Sequence, residues 1–254
     1  MTSENILVVD NLHHQFGKFK VLSGISLEVP RGRLTALIGP NGAGKTTFYN
    51  VISGRYVPSK GKVIFDGHDI TGMPAYKIVP LGLMRSFQIT NIFLKLTVLE
   101  NVLVPLALHC GKSFSCLRTL RKEKKLADRA MEVLGQVGLA DKAVKAAYEL
   151  PYGDKRLIEI AIVLAREPKL VLLDEPTAGM NPEETERMIY LIKKLADESG
   201  TTFFLTEHDM KVVFSVAEYI FVLHQGELLA QGSPQQIREN KAVKEAYLGG
   251  SLDA

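Results

Sequence analysis

The run Gly39-Pro40-Asn41-Gly42-Ala43-Gly44-Lys45-Thr46-Thr47 has the GxxxxGK(S/T) spacing of a loop that grips phosphate. Glycines without a Cβ let successive backbone N–H groups converge on phosphate oxygens, and a helix start behind them adds partial positive charge. Lys45 is then the reach to the β- and γ-phosphates, and the Thr46 hydroxyl is a ligand for Mg²⁺. A pair of acids complements the loop: the apolar run Leu170-Val171-Leu172-Leu173 ends in Asp174-Glu175. In a phosphate-loop protein the acid closing such a strand holds Mg²⁺, so Asp174 takes that role, and Glu175 is placed to orient and deprotonate an attacking water. The plainer reading, two acids capping a strand, leaves the loop without a metal partner. The implied chemistry is hydrolysis of a nucleoside triphosphate.

These residues need elements to hold them. Leu34 to Ile38 reads as a buried strand feeding the loop, and Thr46 to Ser53 as the helix leaving it. Leu83 to Phe87 reads as a core strand ending on Gln88, and Thr202 to Leu205 as another that runs into Thr206-Glu207-His208-Asp209. Gln88 and His208 thus fall at strand ends, where open α/β sheets bind ligands. From position alone, Gln88 is equally well a surface amide and His208 a structural histidine. Short strands at Ile6 to Val9, Val21-Leu22, Ser26 to Val29 and Lys62 to Phe65 suggest a small antiparallel sheet beside this core. Phe16, in a turn with Gly17, is either an adenine platform or a cover for the core edge. Stacking a base on an aromatic contributes about 1–3 kcal/mol.

Helical periodicity marks Val98 to about His109, with Thr97 as N-cap and Glu100 at the third position, and an amphipathic Arg121 to Val137. After a turn at Leu150-Pro151-Tyr152-Gly153-Asp154, helices are expected over Lys155 to Arg166 and from Pro182 to about Glu198. Tyr219 to Leu223 and Glu227 to Ala230 read as a hairpin, followed by short helices at Pro234 to Asn240 and Ala242 to Leu248. The basic run Arg118, Arg121, Lys122, Lys124 and Lys125 is a solvated helix face or a contact for acidic lipid or a partner loop.

Composition is that of a soluble globular chain: 254 residues, 46% hydrophobic and 23% charged. A net charge of +3 is too small to argue for nucleic acid. The longest apolar stretch, Val98 to Leu108, is broken by Glu100, Asn101 and Pro105, so no bilayer crossing is expected. Met1-Thr2-Ser3-Glu4-Asn5 lacks the basic and apolar regions of a secretory signal. Cys110 and Cys116 fit no common zinc spacing and read as free thiols in a reducing compartment.

In this order, Phe16, the Gly39 to Thr47 loop, Gln88, Leu150 to Asp154, Leu170 to Glu175, Ala178-Gly179-Met180-Asn181 and His208 resemble the nucleotide-binding subunits of ABC transporters, over almost the whole chain. The Leu150 to Asp154 stretch, Glu175 to Pro182, and the ending Lys244-Glu245-Ala246-Tyr247-Leu248-Gly249 look like the branched-chain amino acid uptake group. The resemblance implies an α/β fold with a P-loop NTPase core of ABC ATPase type, an antiparallel β subdomain and an inserted α-helical subdomain. As one ABC ATPase domain, 1–88 and 165–254 would form the core with its β subdomain, and 89–164 the helical part with the signature stretch.

It further implies ATP and Mg²⁺ as cofactors, with Gln88 sensing Mg²⁺ and the γ-phosphate, and His208 holding that phosphate and the water in line with Glu175. Two subunits, alike or paralogous, would sandwich each ATP between the Gly39 loop of one and Pro151, Tyr152, Gly153 and Asp154 of the other. Integral membrane permeases would be partners at the cytoplasmic face, where the chain sits peripherally, with a periplasmic or extracellular solute-binding protein completing the system. Export of a lipid or lipopolysaccharide component and a soluble ABC ATPase are the rival readings, and a binding module without turnover is a further one.

Two departures from the broad family pattern stand out. Leu-Ser-Gly-Gly-Gln is replaced by Leu150-Pro151-Tyr152-Gly153-Asp154, so the serine hydroxyl and a backbone N–H are lost. A hydrogen bond to a charged group is worth about 1.5–3 kcal/mol, so the sandwich would weaken roughly tenfold to a hundredfold. The Gly153 N–H and the following helix start are expected to remain available to the phosphate. Asn181 stands where many relatives carry Asp, exchanging a charge for an amide.

Overall fold

A computed structural model describes residues 4–86, 92–109 and 123–247. Phe87, Gln88, Cys110, Cys116, Arg118, Arg121, Lys122 and Leu248, all carrying sequence expectations, lie outside the described residues. The chain divides into two compact units: one from 1–85, 169–176 and 192–254, the other from 86–168 and 177–191.

The first unit holds two sheets. β1 (Asn5–Phe16), β2 (Phe19–Pro30), β4 (Lys60–Phe65) and β5 (His68–Asp69) form an antiparallel sheet in the order β2-β1-β4-β5. β3 (Leu34–Ile38), β6 (Leu83–Arg85), β7 (Leu170–Asp174), β8 (Thr202–Thr206), β9 (Tyr219–His224) and β10 (Glu227–Gly232) form the second, in the order β10-β9-β3-β8-β7-β6. All of these pairs are parallel except β9 with β10. β3, β7 and β8 are buried at every position, as strands covered on both faces must be.

The helix after the phosphate loop, α1 (Lys45–Ile52), packs its Phe48, Tyr49 and Ile52 into a core that takes Ile6, Ile25 and Phe65 from one sheet and Leu37, Phe204 and Phe221 from the other. Tyr49 is fully buried, and its hydroxyl donates to the Phe204 carbonyl at 2.6 Å. Burial pushes its phenol well above the usual tyrosine range, with the Asp174 charge adding to the rise. The unit also carries the short helices α2 (Ala75–Ile78), α7 (Met210–Val216), α8 (Pro234–Glu239) and α9 (Lys241–Ala246).

The second unit is helical. α3 (Val98–His109), α4 (Lys124–Gln136) and α5 (Tyr152–Leu164) pack on one another, and α6 (Pro182–Ser199) contributes its residues up to Leu191. Thr97 and Glu100 form the expected reciprocal cap: the Thr97 N–H donates to Glu100 Oε2 at 2.8 Å, and the Glu100 N–H to Thr97 Oγ1 at 3.2 Å. α4 buries Leu126, Ala130, Val133 and Leu134, in keeping with the amphipathic pattern read over Arg121 to Val137. α5 starts at Tyr152 and not at Lys155, because Pro151 serves as its N-cap and accepts the Lys155 N–H.

Candidate functional site

The phosphate loop joins the end of β3 to the start of α1, at the carboxyl edge of the second sheet. Gly39 lies so close to β9 that a Cβ would sit 2.3 Å from the Leu223 carbonyl oxygen. Gly44, at φ +104°, is in the left-handed region that glycine enters without strain, and a Cβ there would meet the Leu22 side chain at 2.9 Å. Lys45 folds back over the loop, donating from Nζ to the carbonyls of Gly39 at 2.6 Å and Pro40 at 3.2 Å. Burial lowers its pKa from the ordinary lysine value, opposed by the Glu175 and Asp174 carboxylates.

Parallel register brings the acids beside the loop. Asp174 pairs with Thr206, and Thr206 with Leu37, so the ends of β7, β8 and β3 stand side by side. Asp174 is 3% exposed; its Oδ1 accepts the Thr206 hydroxyl at 2.7 Å, and its Oδ2 accepts from Arg85 at 2.7 Å. Arg85 closes β6, is mostly shielded from solvent, and sends its other terminal nitrogen to Asn50 Oδ1 at 2.7 Å. Glu175 turns away from the strand at φ +48°, a left-handed backbone that costs a non-glycine residue about 1–2 kcal/mol. Its N–H donates to the Thr206 carbonyl at 3.0 Å, which fixes the turn. His208 follows β8 by two positions with an exposed ring, while Glu207 between them is buried. Asp209 then caps α7 through the Lys211 N–H at 2.8 Å, anchoring the far side of the His208 loop.

Phe16 ends β1 as a strand residue, not a turn residue, and is 48% exposed. Its ring meets His14 edge-on at 4.8 Å and Tyr56 at 5.4 Å, and those two stack on each other at 5.3 Å. His14 is held through Nδ1 by the Val57 carbonyl at 3.1 Å. A half-exposed aromatic ring backed by two others is suited to stacking a purine.

The donor set also suits Mg²⁺. Among the described residues no cluster of three or more His, Cys, Asp or Glu side chains forms an all-protein cage. Mg²⁺ keeps waters and substrate phosphates and takes one or two protein oxygens, which Asp174 and Thr46 offer. Each Asp174 oxygen still has a lone pair beyond the one engaged by Thr206 or Arg85.

In the second unit, Pro151 and Tyr152 are exposed at the start of α5, whereas Gly153 and Asp154 are buried in its first turn. A Cβ on Gly153 would stand 2.7 Å from Glu184 Oε1, so the Glu184 carboxylate lies close to it on that side. Asp154 accepts from Lys142 at 2.5 Å and Arg187 at 3.3 Å.

The chain matches the family model described as ABC transporter over residues 22–178, and the model described as Branched-chain amino acid ATP-binding cassette transporter over residues 227–253. It is 40% identical to the high-affinity branched-chain amino acid transport ATP-binding protein BraF of Pseudomonas aeruginosa, covering 97% of this chain and 99% of that one. The chain belongs to the ABC transporter ATP-binding family, in its branched-chain amino acid group. The corresponding protein LivG of Escherichia coli is 39% identical over 97% of this chain and 99% of its own. The ADP conformation of an ATP-binding cassette of an ABC transporter superposes with a TM-score of 0.85 at 31% identity, over 98% of this chain and all of that one. This ABC ATPase therefore has the P-loop NTPase cassette fold, and its activity is ATP hydrolysis.

Of the residues expected to form the site, the structure brings the Gly39 to Thr47 loop, Asp174, Glu175 and His208 to one sheet edge. Sequence reasoning missed Arg85 and Thr206 as holders of Asp174, and His14 and Tyr56 as the base beneath Phe16. Arg85 had a signal: a single cation inside the otherwise apolar run Leu83-Met84-Arg85. Such a cation is buried only with a partner.

Proposed function

We infer that this ABC ATPase powers import of branched-chain amino acids, or a similar small solute, through separate permease subunits. The observation that carries the solute class is the likeness to BraF and LivG along nearly the whole chain, with the C-terminal family match at 227–253. In this reading the chain sits at the cytoplasmic face as a peripheral subunit, pairs with a copy or a paralogue, and works with a solute-binding protein on the other side. That no helix among the described residues is long and apolar enough to cross a membrane is in keeping with separate permeases. In this reading 1–88 and 165–254 act as nucleotide core and β subdomain and 89–164 as the helical subdomain, whereas 177–191 group with the helical unit.

Adenine stacks on Phe16, and the loop amides from Gly39 to Thr47 cradle the phosphates. Lys45 exchanges the Gly39 and Pro40 carbonyls for phosphate oxygens. Thr46 and Asp174, with Gln88, would hold Mg²⁺, which neutralises phosphate charge and aligns the γ-phosphate for in-line attack. Glu175 accepts the proton of the attacking water, and His208 keeps water and phosphate aligned. The Leu150 to Asp154 stretch of a second subunit closes over the triphosphate, so hydrolysis loosens the pair and drives the permeases.

The test is purification of tagged chain from its native membrane, with subunits identified and ATPase activity measured on the reconstituted complex. Recovery of permeases, with activity stimulated by a branched-chain amino acid and its binding protein, supports the reading. Soluble partners alone, with activity indifferent to membranes, would refute it, and lipid-stimulated activity would point to export.

A further inference from the structure

Asp154 is a carboxylate where the broad family pattern has an amide, in a stretch that the reading above sets against a triphosphate. A carboxylate facing phosphate would repel it. The structure gives Asp154 other work. It is 4% exposed, and each oxygen meets a different cation: Lys142 at 2.5 Å from the 3₁₀ turn after α4, and Arg187 at 3.3 Å from α6. The residues before it touch the same neighbours. The Tyr152 hydroxyl donates to the Ala178 carbonyl at 3.4 Å, and its ring lies against Gly179. At Gly153 a Cβ would stand 2.7 Å from Glu184 Oε1. Glu184 in turn accepts the Asn181 N–H at 3.1 Å and gives its own N–H to Asn181 Oδ1 at 2.9 Å, a capping box that starts α6. Three consecutive residues of α5 are thus fastened to the loop 177–181 and the two turns after it.

We propose that Asp154 is a positioning residue whose carboxylate, clamped between Lys142 and Arg187, makes the signature stretch and the 177–181 loop one rigid piece. Two acids, Asp154 and Glu184, and two bases, Lys142 and Arg187, balance within this crevice, so Asp154 offers no net charge to a phosphate. The exposed Pro151-Tyr152 edge is held at a fixed place relative to Asn181 without the serine hydroxyl of the broader family. The functional half of this inference rests on the ATP-sandwich reading; the mechanical half does not.

The test uses the full chain as Asp154→Asn, as Lys142→Met/Arg187→Met, and as the triple variant combining them, with folding checked by circular dichroism. Backbone hydrogen exchange over 177–184 is read on all of them without nucleotide. Asp154→Asn is expected to speed exchange there about tenfold, the equivalent of about 1.4 kcal/mol. Unchanged exchange overturns the clamp whether or not the chain hydrolyses ATP. The KM for ATP is then measured. Asp154→Asn is expected to raise it about tenfold in the native background and to lower it in the Lys142→Met/Arg187→Met background, where the carboxylate is left buried and uncompensated. A fall in both backgrounds would mean that Asp154 faces phosphate, and an unmoved KM would reduce the clamp to a purely structural one; either overturns the positioning role.

Discussion

Replacing Arg85 by methionine should reveal what this cation does for Asp174, the acid proposed to hold Mg²⁺. Met keeps an unbranched chain of similar width but leaves Asp174, 3% exposed, without its counter-ion, and Asn50 without its donor. Removing one partner of a buried ion pair costs about 3–5 kcal/mol, because the other charge stays buried. The Thr206 hydroxyl still donates to Asp174, which favours the lower end. At about 2–4 °C per kcal/mol for a chain of this size, the nucleotide-free Tm should fall by about 6–20 °C. Mg²⁺ with ADP would return a cation to Asp174, so the same addition should raise the Tm of the variant more than that of the wild type. ADP with chelator should not. Thermal melts of both proteins, free, with ADP plus Mg²⁺ and with ADP plus chelator, give all the differences needed. Arg85→Lys should fall between, since one ammonium cannot present the planar fork that serves Asp174 and Asn50 together. A free-chain loss of less than 1 °C, or equal Mg²⁺-dependent increments in variant and wild type, would refute the view that Arg85 and Mg²⁺ answer the same charge.

Other perturbations follow from the same geometry. Glu175→Gln retains the strained turn at φ +48° and the Thr206 contact but cannot take a proton, so turnover should drop about 10²–10⁴-fold with ATP binding preserved in a fluorescent-nucleotide titration. Unchanged hydrolysis would remove Glu175 as the base. Gly39→Ala puts a methyl 2.3 Å from the Leu223 carbonyl, so the loop must shift; a stability loss of about 1–3 kcal/mol in urea unfolding and weakened nucleotide binding are expected. Asp66 accepts from Lys169 and from Arg31, and these cations hold its carboxyl below the ordinary value of 3.8. Its folded pKa is depressed, so its stabilisation is present above 3.8 and is lost as pH falls through the folded value. The urea midpoints of wild type and Asp66→Asn should therefore differ near neutrality and converge in strong acid; a constant gap would contradict the linkage.

The strands that lead to the proposed site were legible because each is a short, mostly apolar run: Leu34 to Ile38 before the loop, Leu170 to Leu173 before Asp174, Thr202 to Leu205 before Thr206. Strands buried on both faces have no other way to look. What lay beyond reach depends on which strand neighbours which. Nothing local says that β6 lies beside β7, and so nothing local pairs Arg85 with Asp174, 89 positions away. β1 was legible only at Ile6 to Val9, because register shifts between Val9 and Leu12 and again after His14 break the alternation that marks a strand. The start of α5 was masked by Pro151-Tyr152-Gly153, residues of turn chemistry that also serve at a helix N-terminus.

The departures from the broad family pattern gain a physical meaning only from these contacts. Asn181 caps α6 through the same Oδ1 that an aspartate would use, so the amide leaves the helix start intact and removes a charge from an exposed position. Asp154 does the reverse, adding a charge but burying it between two cations. Together the two substitutions place a neutral side chain at the exposed loop and a negative one within the packed turn. At Asn181 the swap leaves the local structure standing and acts on what the surface presents, so that position can be probed by nucleotide and partner binding without disturbing the helix start it caps, whereas at Asp154 the charge is itself part of the packing.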